Sequence, residues 1–481
     1  MKKITKVLIA NRGEIALRII RACKELEIKS VAIFSTADAH GVWVRKADES
    51  HLLQGDPIKV YLDYENIVAL AKEVGADAIH PGYGFLSESA EFAQYCIDQG
   101  IIFIGPKPEH IALFGDKMAS KVAMKEVGVP VLGGTDEPIR DIAEATKIAY
   151  EIGFPVIIKA AYGGGGRGMR IVKKEEDFAE LFEAATKEAE KFFGNGDAFI
   201  EKYLENPRHI EIQIVADKYG NVVHLGERDC SIQRRHQKVI EIAPSPRLSD
   251  KVRKELYRVS QKAMFRLGYE SVGTIEFLVD ESDNFYFIEM NTRVQVEHPV
   301  SEIVSGVDII QRMIEIAEGD KLMYLQEEIN FRGYAIEFRI NAEDPTKGFI
   351  PSPGRIRTYL SPGGPGVRLD SAAYKDYVIP GQYDSMVAKL IVWALDWDGV
   401  VKKAKRALDE FIVGGIPTNI PLHRQIVRDE DFIAGTFNTT YLDKKLPSMS
   451  ENMIFDVHHE EEEEEKVAAM VAAVQYFKNC K

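Results

Sequence analysis

The segment Phe287-Ile288-Glu289-Met290-Asn291-Thr292-Arg293-Val294-Gln295-Val296-Glu297-His298 constrains this chain more tightly than any other stretch. Alternate side chains of an extended segment share a face. Glu289, Asn291, Arg293, Gln295 and Glu297 are therefore predicted to point into one cleft, with Ile288, Met290 and Val294 toward the core. A solvated sheet face also alternates polar residues. This series, with two acids, two amides and an arginine closed by His298-Pro299, is instead what a liganded face requires. Glu289 and Asn291 are hard oxygen donors that suit Mg²⁺ (or Mn²⁺), which completes its octahedron with phosphate oxygens and water. Nucleotide phosphate is the expected companion. Upstream, Gly273-Thr274-Ile275-Glu276-Phe277-Leu278 reads as a strand that the turn Asp280 to Asn284 folds back, bringing Glu276 beside Glu289 and Asn291.

With 481 residues the chain is long enough for two to four domains. Its net charge of −14 argues against general binding of nucleic acid or anionic membrane, both of which need a basic field. No apolar run reaches membrane-spanning length, and MKKITKVLIA lacks the longer apolar region and cleavage site of a signal peptide, so a cytoplasmic location is expected. Cys23, Cys96, Cys230 and Cys480 lie far apart with no CxxC spacing and are read as free thiols.

Buried strands at Lys6 to Ala10, Val31 to Phe34, Asp77 to His80 and Ile101 to Gly105 alternate with helical stretches, which predicts a parallel Rossmann-like sheet. Its first turn, Asn11-Arg12-Gly13-Glu14, lacks GxGxxG, so dinucleotide binding is not supported. A strand ending in Lys159 runs into Gly163-Gly164-Gly165-Gly166-Arg167-Gly168. Such glycines let backbone N–H groups approach phosphate and let a loop close and reopen. Strands are also expected from His209 to Val239, a helix from about 250 to 267, and turn-rich sequence with a helix at 398 to 412 beyond residue 330. Glu460 to Glu465 is a block of acids, followed by Val467, Met470, Val471, Val474 and Phe477 at helical spacing.

These residues give a family resemblance over roughly 4 to 445. The chain resembles the biotin carboxylase subunit of biotin-dependent carboxylases, in the ATP-grasp superfamily. The resemblance rests on Ile9 to Ala16, His80 to Glu88, the glycine loop, Glu201-Lys202-Tyr203, Glu227 to Ser231, Gln233 to Lys238 and Glu289 to Pro299. It implies an α/β and α+β multidomain fold. The expected parts are a Rossmann-like domain at 1–116, an ATP-grasp domain at 117–330 with a mobile lid at about 131–204, a β-rich C-terminal domain at 331–447, and an acidic linker with a short amphipathic helix at 448–481. By the same resemblance, Lys117, Lys159, His209 and the loop glycines Gly164, Gly165, Gly166 and Gly168 contact ATP phosphates. Glu201, Lys202 and Leu204 lie at the adenine edge, with Gln233 and His236 near ribose and phosphate. Glu276, Glu289 and Asn291 hold the metal. Glu297 is the general base toward bicarbonate, while Lys238, Arg293 and the backbone near Gln295 and Val296 clamp the anion. Arg339 stabilises the biotin ureido oxyanion, and Tyr83, Gly84 and Phe85 line the biotin slot.

No Met-Lys-Met biotin-attachment motif occurs, so biotin is expected on another polypeptide: a biotin carboxyl carrier protein or a carrier-bearing carboxyltransferase subunit. The final acceptor is left open among pyruvate, acetyl-CoA, propionyl-CoA and other 2-oxo acids, with a pyruvate carboxylase subunit preferred. A homodimer is implied, although Pro365 replaces an aromatic residue common at that contact and Thr439 replaces a common isoleucine of the adenine pocket. Two rival functions make demands that this sequence does not meet. Another bicarbonate-using ATP-grasp ligase would bring a tandem repeat and an ammonia source, and neither is found. A non-catalytic ATP-binding module would have lost Glu297, Lys238 or the metal ligands. The Val467 to Phe477 stripe is expected to dock on a partner subunit.

Overall fold

A computed structural model describes residues 3–135, 137–160, 169–193, 196–450 and 453. The glycines 163–168 and the tail from 454 onward lie outside the described residues, and so do the expectations placed on them.

The first apolar run forms β1 (Lys6–Ile9), the centre of a five-stranded parallel sheet with β2 (Lys29–Phe34), β3 (Glu49–Leu52), β4 (Ala78–His80) and β5 (Ile102–Phe103), in the order β3-β2-β1-β4-β5. A parallel sheet needs cover on both faces, and the period of two supplies it. Val7 and Ile9 pack with Ile15 and Ile19 of helix α1 (Gly13–Glu25), whereas Leu8 packs with Ile67, Val68 and Phe92 on the other side. Glu14 of α1 and the loop after β4, which carries Tyr83, Gly84 and Phe85, lie beyond the carboxyl ends of the strands, where open α/β sheets place ligands.

Residues 131–204 contain a small three-stranded sheet of β6 (Val156–Ala160), β7 (Met169–Val172) and β8 (Ala198–Lys202), in the order β7-β6-β8, flanked by the helices Ile142–Ile152 and Phe178–Phe193. Ala145, Ala149, Val156, Ile158, Phe178, Phe182 and Ile200 form a core of its own.

The largest element is an eight-stranded antiparallel sheet. It contains β9 (Arg208–Ala216), β10 (Val222–Arg234), β11 (Gln237–Ala243), β12 (Ser271–Val279), β13 (Phe285–Asn291) and β14 (Tyr334–Asn341), and ends with the strands Met386–Ala394 and Val367–Ser371. β11 pairs directly with β14. The boundary expected near residue 330 therefore falls inside one continuous sheet. On one face Ile210, Ile212 and Ile214 pack against Val252, Leu256, Val259 and Ala263 of the helix Asp250–Arg266, while Ile240, Ile242, Ile336, Phe338 and Leu390 pack against Val400, Ala404 and Leu408 of the helix Trp397–Glu410. The opposite face carries the polar residues developed below.

The alternation expected through Glu297 is corrected in two ways. The β12–β13 register shifts at Ile288, so the bulged Ile288 is half-buried and Phe287 takes the core position beside Met290. The strand itself stops at Asn291. A turn carries Arg293 to Val296, and Glu297 stands at the N-cap of a helix, His298–Ser305, with Pro299 in its first turn. Proline there is pre-set for a helix start, which ends the extended run.

Candidate active site

Period-two geometry builds the polar face in rows. Glu276 of β12 stands directly opposite Glu211 on β9 and Glu289 on β13, which puts three carboxylates on three adjacent strands. In the second row Glu241 of β11 faces Glu337 of β14, and Arg339 faces Lys389 on the next strand. So many acids on a buried face need cations, and three supply them.

Lys238 Nζ donates to Glu276 Oε1 at 3.0 Å and Glu297 Oε1 at 2.8 Å, and also to Glu211. Arg339 Nε donates to Glu241 Oε1 at 2.5 Å and its Nη2 to Glu297 Oε2 at 3.0 Å. Arg228, fully buried, donates to Glu211 Oε2 at 2.9 Å, Gln213 Oε1 at 2.7 Å, Thr274 at 3.0 Å and Ser301 at 3.1 Å, and also to Gln295. Gln295 passes the link on, its Nε2 donating to Glu276 Oε1 at 2.7 Å.

The charge states follow. Burial pushes the Glu297 carboxyl up, but Lys238, Arg339 and Arg228 outweigh it and hold the group ionised, well below the usual carboxylate range. Glu276 is likewise held low against its burial by Lys238 and His209. His209 Nε2 lies 2.6 Å from Glu276 Oε2, and that carboxylate raises the imidazole's affinity for a proton in spite of burial. Glu241 moves the other way: burial lifts it to about 7, with Arg339 opposing. Burial lifts Glu337 further. Neither of its oxygens has a hydrogen-bond partner, Lys389 opposes the rise only by its charge, and Arg339 pairs with Glu241 and Glu297 rather than with it.

The residues present fit a divalent cation. Glu289 is pushed up by burial and then by the negative charge of Glu276, so the cross-strand pair carries charge that a cation would relieve. Asn291 sits at the same edge, with Nδ2 donating to Glu276 Oε1 at 2.7 Å and Oδ1 accepting from Arg293 at 2.7 Å. His209, Glu211 and Glu276 also cluster closely enough to ligate a metal, but Lys238 already donates to both of those carboxylates. Cys230, beside Glu211 and Glu297, has its thiol pushed up by burial and is not a thiolate.

On the three-stranded sheet of β6 to β8, Glu201 pairs with both Lys159 and Lys121. Lys202 Nζ donates to the carbonyls of Gly153 at 2.9 Å and Phe154 at 3.0 Å, and its backbone N–H donates to Gly133 O at 2.8 Å. Leu204 is half-buried, Gln233 is buried at the end of β10, and His236 is exposed in the β10–β11 turn. Lys117 starts the helix Lys117–Glu126, near enough to stabilise the charge of Glu289. Arg293 reaches across to Glu88 Oε2 at 2.9 Å, tying the ATP-grasp turn to the loop that bears Tyr83. Thr439 donates its backbone N–H to Pro207 O at 3.0 Å, beside β9, and Pro365 is exposed.

Glu211, Glu241, Arg228 and Lys121 are site residues that the sequence reading misses. A signal exists for Glu211: His209, Glu211 and Gln213 alternate with Ile210, Ile212 and Ile214, the same polar-face pattern as in 287–298. Glu241 and Arg228 become site residues only through cross-strand register, which one chain's spacing does not reveal.

Known proteins bear on this geometry directly. Family models match in succession: biotin carboxylase, N-terminal domain, over 3–111; carbamoyl-phosphate synthase L chain, ATP binding domain, over 116–325; and biotin carboxylase C-terminal domain over 337–444. The chain is 54% identical over 439 residues to the 2-oxoglutarate carboxylase small subunit of Hydrogenobacter thermophilus, covering 91% of this chain and 93% of that one. Among solved structures, the biotin carboxylase domain dimer of the Hydrogenobacter thermophilus enzyme, in complex with MgADP, ADP and bicarbonate, superposes with a TM-score of 0.87 at 53% identity. That match covers 94% of this chain and 99% of the other. The crystal structure of the biotin carboxylase subunit of pyruvate carboxylase superposes with a TM-score of 0.84 at 52% identity, covering 93% of this chain and 99% of that one. An ATP-grasp fold around an acid, lysine and arginine cleft defines an ATP-dependent ligase. More narrowly, the chain belongs to the biotin carboxylase family.

Proposed function

We propose that this chain carboxylates biotin carried on a separate polypeptide, using bicarbonate and ATP, as the first half-reaction of a multisubunit carboxylase. The observation that carries the reading is the convergence of Lys238 and Arg339 on the two oxygens of Glu297. A buried, ionised carboxylate between two cations is placed to take a proton from an anion that those cations attract. Its basicity rises as the incoming anion shares Lys238 and Arg339, because part of their hold on Glu297 is then lost. Bicarbonate activated in this way attacks the γ-phosphate to give carboxyphosphate, with Lys238, Arg293 and the backbone at Gln295 and Val296 holding the anion.

Lys117, Lys159, His209 and the glycines Gly164, Gly165, Gly166 and Gly168 are proposed to hold phosphate, Glu201, Lys202 and Leu204 the adenine edge, and Gln233 and His236 the ribose side. Mg²⁺ (or Mn²⁺) held by Glu276, Glu289 and Asn291 would neutralise β- and γ-phosphate oxygens during transfer. Carboxyphosphate then breaks down to CO₂ and phosphate, and the released phosphate takes the ureido proton of biotin. Arg339 stabilises the ureido oxyanion in the slot formed by Tyr83, Gly84 and Phe85.

The carrier is proposed to be a biotin carboxyl carrier protein or a carrier-bearing carboxyltransferase subunit, the chain itself to dimerise, and the final acceptor to be pyruvate. The 54% identity to a 2-oxoglutarate carboxylase subunit favours 2-oxoglutarate as the second reading. ADP release measured with and without bicarbonate and free biotin tests the half-reaction, which requires bicarbonate dependence; equal rates in its absence rule it out. Co-purification with a biotinylated chain, followed by assay of each 2-oxo acid, tests the acceptor.

A further inference from the structure

Lys389 is completely buried, yet it does not belong to the set of residues assigned above. It lies on the strand Met386–Ala394, in register with Arg339. Its Nζ donates to the carbonyl of Val296 at 2.8 Å and pairs with Glu14 Oε1 at 3.1 Å. The same Glu14 oxygen accepts the hydroxyl of Tyr83, whose phenol burial and Glu14 keep protonated and hence a donor. Glu14 opens helix α1, Tyr83 belongs to the loop after β4, Val296 lies in the turn before Glu297, and Lys389 comes from the C-terminal strands. Four segments distant in sequence thus meet through one ammonium and one carboxylate.

Neither partner has a ready substitute. Glu14 Oε2 is buried without a hydrogen-bond partner, and Asn11, which fixes the Tyr83 loop by donating to the carbonyls of Pro81 at 2.7 Å and Tyr83 at 2.8 Å, does not reach the Val296 turn through any hydrogen bond among the described residues. A buried lysine costs its full hydration and is retained only where its donors are used.

We propose that Lys389 and Glu14 are positioning residues that join the Tyr83 biotin slot to the Val296–Glu297 turn, so that biotin binding and bicarbonate activation share one buried link. The proposal rests on the assignments of Tyr83, Val296 and Glu297 made above. Without the link the turn and the slot loop still share the exposed Arg293–Glu88 pair, but the buried contact that sets the distance between slot and clamp is gone, and small displacements of reacting groups cost rate steeply.

Steady-state bicarbonate-dependent ATP cleavage at varied free biotin tests the idea in wild type, Lys389→Met, Tyr83→Phe and the combination of the two. Each single change should lower kcat/KM for biotin by about 10-fold. The combination should fall by about the same 10-fold rather than about 100-fold, because both changes break one link, and residues acting through one contact are not additive. KM for ATP should stay within about twofold, since the nucleotide side of the cleft does not touch the link. Glu14→Gln with Lys389→Met leaves no buried charge unpaired and supplies the same readout if Lys389→Met alone does not fold. Multiplicative losses, or a Lys389→Met enzyme with unchanged kcat/KM for biotin, overturn the proposal. A wild type that cleaves ATP without bicarbonate defeats the underlying functional reading instead, so the two failures are told apart.

Discussion

Replacing Lys238 by methionine keeps the length and removes the ammonium around which Glu211, Glu276 and Glu297 are gathered. Those side chains are at most 5% exposed, so water cannot take over the neutralisation. Breaking a buried pair of this kind costs on the order of 3–5 kcal/mol. The structure also supplies a ceiling. Glu211 keeps Arg228, Glu297 keeps Arg339, and Glu276 keeps Asn291, Gln295 and His209, so the cluster can relieve its excess charge by binding one proton. Protonating a carboxyl of ordinary pKa about 4.3 costs roughly 1.36 kcal/mol per pH unit, hence about 3.7 kcal/mol at pH 7 and about 2.3 kcal/mol at pH 6. The sign follows from linkage. The variant's folded state binds a proton that its unfolded state does not, so its stability falls as pH rises above about 4.3, at about 1.4 kcal/mol per unit. Wild-type Glu276 and Glu297, held low, contribute no such slope in that window. Urea denaturation of both proteins at pH 6 and pH 7 should therefore show a gap that widens by about 1.4 kcal/mol. A gap below about 1 kcal/mol, or one independent of pH, would refute the claim that the three acids depend on this cation.

Arg228→Met should be among the most destabilising single changes, by about 3–5 kcal/mol, because it strips Glu211, Gln213, Gln295 and Thr274 of a common donor; denaturant midpoints check this. Acid should destabilise the fold below about pH 6.5. Burial depresses His80 to about 3 and His224 and His423 to about 4, so the unfolded chain takes up protons first, and stability complete above 6.5 is lost on acidification by about 2 kcal/mol per histidine at pH 5. His80→Asn should flatten that acid limb in a pH series of melting temperatures.

Much of this site is legible in the sequence because strands repeat every two residues. The Glu276 and Glu289 pairing follows from one short turn, Asp280 to Asn284, whose Asp280 Oδ1 accepts the backbone N–H groups of Ser282 and Asn284 at 2.9 Å each. The parallel sheet is equally readable, since β1 has to be apolar on both faces. What stays hidden depends on register between strands far apart in sequence: Glu241 opposite Glu337, and Arg339 opposite Lys389. Spacing along one strand offers Glu337 as a partner for Arg339, but two other segments contribute better-placed carboxylates and leave it without a hydrogen bond. The helix start at His298-Pro299 also bends a segment that alternation alone would extend, and the turn it forces is what delivers Glu297 to both Lys238 and Arg339.

Transfer of label from radioactive bicarbonate to free biotin, with ATP and Mg²⁺, compared between wild type and Glu297→Gln, tests the central claim most directly. The account predicts labelled carboxybiotin from the wild type and a loss of about 10²- to 10⁴-fold in the variant, as for a removed general base, with ATP affinity retained. Label transfer at near wild-type rates by Glu297→Gln would contradict it.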